Sequence, residues 1–143
     1  MDKLEEFTNK MKHKIFNVIK KKKRLYFEVK NDDIKDIAQY LFSNMRCRLS
    51  TATATEVYKG IEVLYHFSLD ETGDYFCPRV IIPNKKNPKM NSITPVVKGA
   101  EWIEREMYDL FGIDFDGHPR KEFLLTGNHP EGLRQPLRIT KLS

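Results

Sequence analysis

The stretch NSITPVVKGAEWIEREMYDLFGIDFDGHP, from Asn91 to Pro119, decides how this chain is read. Ser92 is placed to cap a short first turn, with Pro95 near its start. Gly99 loosens the backbone, and a helix is predicted from Ala100 to Phe111. Gly112 then stands where a left-handed residue ends a helix. On a helical wheel Ala100, Ile103, Met107, Leu110 and Phe111 share one face, the expected core side. Trp102, Arg105, Glu106 and Asp109 gather roughly opposite. Glu101, Arg105 and Asp109 are spaced so that the arginine can pair in both directions. A tryptophan among charges implies a cover, either the chain's own tail or another protein. Glu104 sits beside the apolar stripe, where it needs a cationic or hydrogen-bonding partner.

Working outward, residues 2 to 23 carry Leu4, Phe7, Met11, Ile15 and Val18 at helical spacing, with Phe16 and Ile19 widening the stripe. They are predicted to form one helix, with the run Lys20 to Arg24 at its C-terminal end, where the helix dipole favours cations. Residues 25 to 30 alternate as a strand. Asn31 or Asp32 is placed to cap a second helix burying Ile34, Ile37, Ala38, Leu41 and Met45. A hairpin follows. Cys47, Leu49, Thr51, Thr53, Thr55 and Val57 form one face of its first strand, and Lys59-Gly60 the turn. Ile61, Val63, Tyr65, Phe67 and Leu69 form one face of the second. After a turn at residues 70 to 74, a last strand runs from Tyr75 to Pro83, with Pro78 expected at an edge or a bulge.

The order α-β-α-β-β-β-α predicts a two-layer α+β domain over residues 1–119. Its sheet is mostly antiparallel, of about four strands, with helices on one face. Residues 120–143 are expected to form an extended C-terminal arm, punctuated by Gly127, Pro130, Gly132 and Pro136, that reaches a partner. The chain has 143 residues and a net charge of +5. No apolar run is long enough to span a bilayer, and the first residues do not read as a signal peptide. The lysine run reads as a solvated helix end. The competing class is a stand-alone basic nucleic-acid-binding module, which needs aromatics interleaved with the cations. Here Tyr26 and Phe27 are the aromatics nearby.

No catalytic or metal constellation stands out. Cys47 and Cys77 lack metal-ligand spacing and read as buried, reduced thiols. No phosphate-cradling glycine motif is present. A small metal-dependent enzyme would have to build its site from His118, His129 and Asp116, residues whose setting favours turn and packing roles.

The run Glu104-Arg105-Glu106, Tyr108-Asp109, Phe111-Gly112-Ile113 and Gly117-His118-Pro119 resembles the signature of the respiratory complex I 30 kDa subunit family. Pro88, Ser92-Ile93-Thr94, Ala100 and Trp102 match the same pattern. The resemblance implies a non-catalytic accessory subunit of a membrane-associated electron-transfer complex. Such a subunit binds no cofactor of its own. It packs against a hydrogenase-like large (49 kDa-type) subunit, with an iron–sulfur small subunit nearby. Iron–sulfur clusters, with nickel–iron in some relatives, belong to those partners. By the same resemblance the complex lies on the cytoplasmic side of the cell membrane, which this chain meets only indirectly. Motif and partner-facing residues would be Ser92, Trp102, Glu104, Arg105, Glu106, Tyr108, Asp109, Gly112, Gly117, His118 and Pro119, with Pro136, Leu137 and Arg138 in the arm. The ending Pro136-Leu137-Arg138 looks like the related subunit of energy-converting, membrane-bound [NiFe] hydrogenases. Hydrogenase and quinone reductase complexes both stay open.

Overall fold

A computed structural model describes residues 2–119. Expectations for the arm, including His129, Pro136, Leu137 and Arg138, lie outside the described residues. The first helix, α1 (Lys3–Met11), starts on Asp2, whose side chain accepts the Glu5 N–H. Leu4 and Phe7 are its buried residues. It does not continue to residue 23. The chain turns after Met11 and enters strand β1 (Ile15–Lys21), which pairs antiparallel with β2 (Arg24–Val29). Apolar residues at 15, 16, 18 and 19 satisfy a helical and an extended pattern equally well. Pairing decides, because β2 gains a ladder partner along its outer edge. The lysine run is therefore the tip of a β-hairpin and not a helix end. Lys23 Nζ donates to the Thr72 carbonyl there, and Lys20 meets Asp2 at 3.4 Å.

The second helical segment is broken into a 3-10 turn at Asn31–Asp33, α2 (Ile34–Gln39) and a π turn at Tyr40–Asn44. Ile34, Ile37, Ala38 and Leu41 are fully buried, as the spacing predicted, and Met45 is half-buried. Neither Asn31 nor Asp32 caps α2 with its side chain. Asn31 Oδ1 instead accepts the Asn91 N–H at 2.6 Å, tying this turn to the signature stretch.

Strands β3 (Arg48–Val57), β4 (Gly60–Leu69) and β5 (Asp74–Ile82) complete a five-stranded sheet in the order β1-β2-β5-β4-β3. All neighbours are antiparallel except β2 and β5, which are parallel. A bulge between Leu49 and Thr51 inserts one residue into β3. Beyond it the inward side passes to Ala52 and Ala54, which pack on the core, and the threonines point away. The predicted uninterrupted alternation of β3 therefore fails at Ser50, since one extra residue swaps the two faces. Pro78 lies in the central strand β5 and not at an edge. The β4–β5 ladder has no pair at Pro78 and resumes in the same register on either side. Proline supplies no N–H there, so the ladder skips that step while the strand runs on.

Gly60 closes the β3–β4 turn. A Cβ there would lie 1.9 Å from the Ile82 carbonyl oxygen, and its φ is 152°. Only glycine lets β5 approach so closely. After β5 the chain forms β6 (Lys89–Asn91), α3 (Ala100–Phe111) and β7 (Asp114–Asp116), with β6 and β7 paired in parallel. Helix α3 has the predicted bounds, and Gly112 ends it in a left-handed conformation at φ 78°. The helices cover one sheet face. Phe7 meets Phe27 at a tilt and Phe76 edge-on, at 5.0 and 5.2 Å between ring centres, and α3 lies over Tyr65.

Candidate functional site: a buried carboxylate cage at Glu104

Glu104 is fully buried and accepts four hydrogen bonds. Its Oε1 takes the Ser92 hydroxyl at 2.5 Å and the Thr94 hydroxyl at 2.8 Å. Its Oε2 takes the Tyr65 hydroxyl at 2.8 Å and the Ile93 backbone N–H at 3.0 Å. The donors come from strand β4 and from the turn after β6, and the acceptor from α3. One carboxylate thus ties sheet, turn and helix together. Ser92 also accepts the Thr94 N–H at 3.0 Å, the first-turn cap that the sequence suggested. Burial, with the Glu104 charge next in weight, holds the Tyr65 phenol well above its ordinary pKa, so it stays a donor at neutral pH. Tyr65, Ser92 and Glu104 have no exposed surface and Thr94 has 5%. No substrate reaches such a group. The cage can hold elements in place, and it is not arranged to exchange protons with a ligand.

The outer surface of α3 differs from the helical-wheel prediction. Trp102 is 61% exposed and Glu106 is exposed, but Arg105 and Asp109 are buried. The wheel placed all four together on the outside. The chain packs around more of the helix than a single apolar stripe implies, through contacts with β3 and β7. The Arg105 guanidinium lies 5.1 Å from the centre of the Trp102 ring, within cation–π range. Its Nε has no hydrogen-bond acceptor among the described residues. Tyr108 is half-buried. At the end of the motif Gly117 takes φ 91°, and the His118 Nε2–H donates to the Glu101 carbonyl at 2.8 Å. That bond turns the chain back onto the first turn of α3 and fixes the imidazole tautomer. Pro119 is the last described residue.

The sequence singled out Glu104 and its need for a partner. It missed Tyr65, which reads as one more inward residue of β4, and it gave no acceptor to Thr94. The usable signal was the pair of hydroxyls at positions 92 and 94, polar residues on either side of the buried Ile93. Elsewhere, Cys47 and Cys77 are both buried free thiols. Burial pushes them up to about 12 and about 11 respectively, so neither is a ready nucleophile. Cys77 Sγ lies 3.6 Å from His66 Nδ1, and burial, then Arg24, lowers the His66 pKa. Among the described residues, no group of three or more His, Cys, Asp or Glu is placed to hold a metal ion. No helix of the described residues is long and apolar enough to cross a membrane.

Fold and cage together define an α+β sheet layer to which a motif helix is bolted from within. The family described as the 30 kDa subunit of respiratory-chain NADH dehydrogenase matches residues 27–141, and the chain belongs to that family. A subunit of the NADH-quinone oxidoreductase of Ruegeria pomeroyi is 36% identical over 71% of this chain and 53% of its own length. A subunit of the chloroplastic NAD(P)H-quinone oxidoreductase of Lotus japonicus is 34% identical over 68% of this chain and 65% of its own. The chain therefore spans less than two thirds of these relatives. Among solved structures, a chain of the membrane-bound sulfane sulfur reductase, an archaeal respiratory membrane complex, shares the fold. Its TM-score is 0.69 at 23% identity, covering 96% of this chain and 79% of that one. The trypsin-resistant fragment of Nqo5 gives a TM-score of 0.66 at 24% identity, covering 82% and 95%.

Proposed function

We propose that this chain is a non-catalytic subunit of a membrane-associated electron-transfer complex, held at the membrane through its neighbours. In this reading it packs beside a hydrogenase-like large subunit, with an iron–sulfur small subunit nearby, on the cytoplasmic side. The redox centres belong to those partners. Trp102 and Glu106 on α3, with the segment 120–143, supply the gripping surface. The domain over residues 1–119 is the rigid base from which they project.

The observation that carries this reading is the Glu104 cage. Glu104, a fully buried acid of the family motif, uses both oxygens to hold β4, the turn after β6 and α3 in register. A motif spent on rigidity suits a subunit whose task is shape, because a partner docks on α3 only if the helix is fixed. Exposed Trp102, backed by a buried arginine, is the kind of anchor that dominates interfaces. The relatives named as quinone oxidoreductase subunits support the same assignment.

The test is to extract membranes of the producing organism in mild detergent with this chain tagged, then run native gels with iron analysis. Co-migration with larger iron-bearing polypeptides is the expected result. A chain that runs alone, or one that turns over a substrate by itself, overturns the reading.

A further inference from the structure

The five-stranded sheet ends on two edges that the chain treats differently. At one edge β1 carries a bulge at Asn17, where φ is 51°, and closes on Lys20 and Lys21. A kink and cations are common means of keeping an edge from pairing with another chain. At the other edge β3 is ten residues long. Beyond its bulge it reads Thr51-Ala52-Thr53-Ala54-Thr55, with no lysine, no proline and no charge. Among the described residues β3 pairs with β4 alone, and no backbone bond reaches residues 51–55 from any other element. Alternate residues of an antiparallel edge strand turn their N–H and C=O groups away from the one neighbour. The stretch therefore offers a row of backbone donors and acceptors, and the complement of such a row is a further extended backbone.

The core is also incompletely covered on this side. Among the described residues, six of the ten half-buried apolar side chains that pack on the core belong to β3 or α3: Leu49, Ala52, Ala54, Ile103, Tyr108 and Leu110. Helix α3 lies against β3. Its Ile103 and Leu110, core-side residues on the helical wheel and seven apart on one flank, are only half-buried, whereas Arg105 and Asp109 on the other flank are buried. On β3 the side chains turned toward the core beyond the bulge are alanines, which leave the margin shared with α3 open. A second copy of β3 would bring the same alanines to that side. A strand with larger apolar residues at alternate positions fills it.

We propose that a strand of a neighbouring polypeptide adds to the β3 edge beside residues 51–55, its alternate side chains apolar and closing over the margin that β3 shares with α3. The proposal rests on the reading of the chain as a subunit and makes backbone pairing one of its contacts. Hydrogen–deuterium exchange of the full chain, purified and in the detergent-extracted assembly, tests it, with the blunted β1 edge as internal reference. In the purified chain, peptides covering residues 49–57 exchange in two halves, the amides bonded to β4 slowly and the others fast. In the assembly the fast half slows about tenfold or more while β1 keeps its rate. Ala54→Lys, which sets a charge on the core side of the edge, lowers the yield of assembly about fivefold. Should that variant fail to fold, exchange of the native chain still decides. A chain that co-migrates with its neighbours while β3 exchanges at the free rate overturns the edge pairing and leaves the subunit reading intact. Equal slowing at β1 and β3, or an undiminished yield of Ala54→Lys, overturns it as well. Fast amides already slow in the purified chain at every concentration mean that the chain covers its own edge. Slowing that grows with the concentration of the purified chain makes the occupant a second copy, and either result overturns the proposal. Failure to co-migrate at all removes both readings.

Discussion

The Tyr65 hydroxyl, on a strand, meets the Glu104 carboxylate, on a helix 39 residues later, at 2.8 Å inside the core. The bond carries information in both directions: it tells the helix where to lie and the sheet which face to offer. Tyr65→Phe removes one of four donors and should cost about 1–2 kcal/mol. Glu104→Ala strands three hydroxyls and a backbone N–H, and should cost roughly 3–5 kcal/mol. Urea unfolding of the two variants measures both. Equal losses would mean that the cage is not the joint between the layers.

Alkaline pH should weaken the fold. Tyr65, Cys47 and Cys77 all have raised folded-state pKa values, the thiols at about 12 and about 11. In the unfolded chain the thiols release protons near 9.0 and the phenol near 10.0. Below those values their contribution is fully present. Above them the unfolded state binds fewer protons than the folded one, so stability falls as pH rises, until the folded groups titrate too. Each group contributes a slope of up to about 1.4 kcal/mol per pH unit in that window. Urea midpoints at pH 8.0, 9.5 and 10.5 should decline in order. A flat series would count against all three groups as buried and neutral.

Two glycines separate space from backbone strain. Gly60→Ala places a methyl 1.9 Å from the Ile82 carbonyl oxygen, where main chain must move. It should destabilise the chain by more than about 2 kcal/mol. Gly73→Ala meets nothing within 4 Å but sits at φ 81°. Its cost should stay near the ~1–2 kcal/mol of a left-handed alanine. Thermal melts of the pair rank them, and the reverse order would refute the close approach at Gly60.

Trp102→Ala should leave the free chain nearly as stable as before. Its ring is 61% exposed, and the contact with Arg105 is worth only about 0.5–1 kcal/mol at such a site. Incorporation into the assembly should fall sharply, because the anchor is gone. A marked drop in melting temperature with unchanged assembly would assign Trp102 to the fold instead.

Arg105→Ala should behave in the opposite way. Arg105 is 6% exposed, so its loss should destabilise the isolated domain by about 1–3 kcal/mol. Differential scanning calorimetry of the free chain decides the matter, and an unchanged melt would place the arginine's role outside the fold.

By itself the sequence determined the signature helix from Ala100 to Phe111, its Gly112 stop, the β3–β4 hairpin and the α+β class. In each case a local rule suffices: a 3.6-residue period, a left-handed residue after it, or a two-residue alternation around a glycine turn. Only the tertiary structure decided whether Ile15 to Lys21 is helix or strand, since the spacing fits both and the vacant edge of β2 settles it. It likewise decided the switch of faces at Ser50 and the central place of Pro78, which depend on ladders to distant strands. The donors around Glu104 belong with these. A buried carboxylate announces that it needs partners, but which hydroxyls arrive is set by packing across 39 residues, and no local pattern records it.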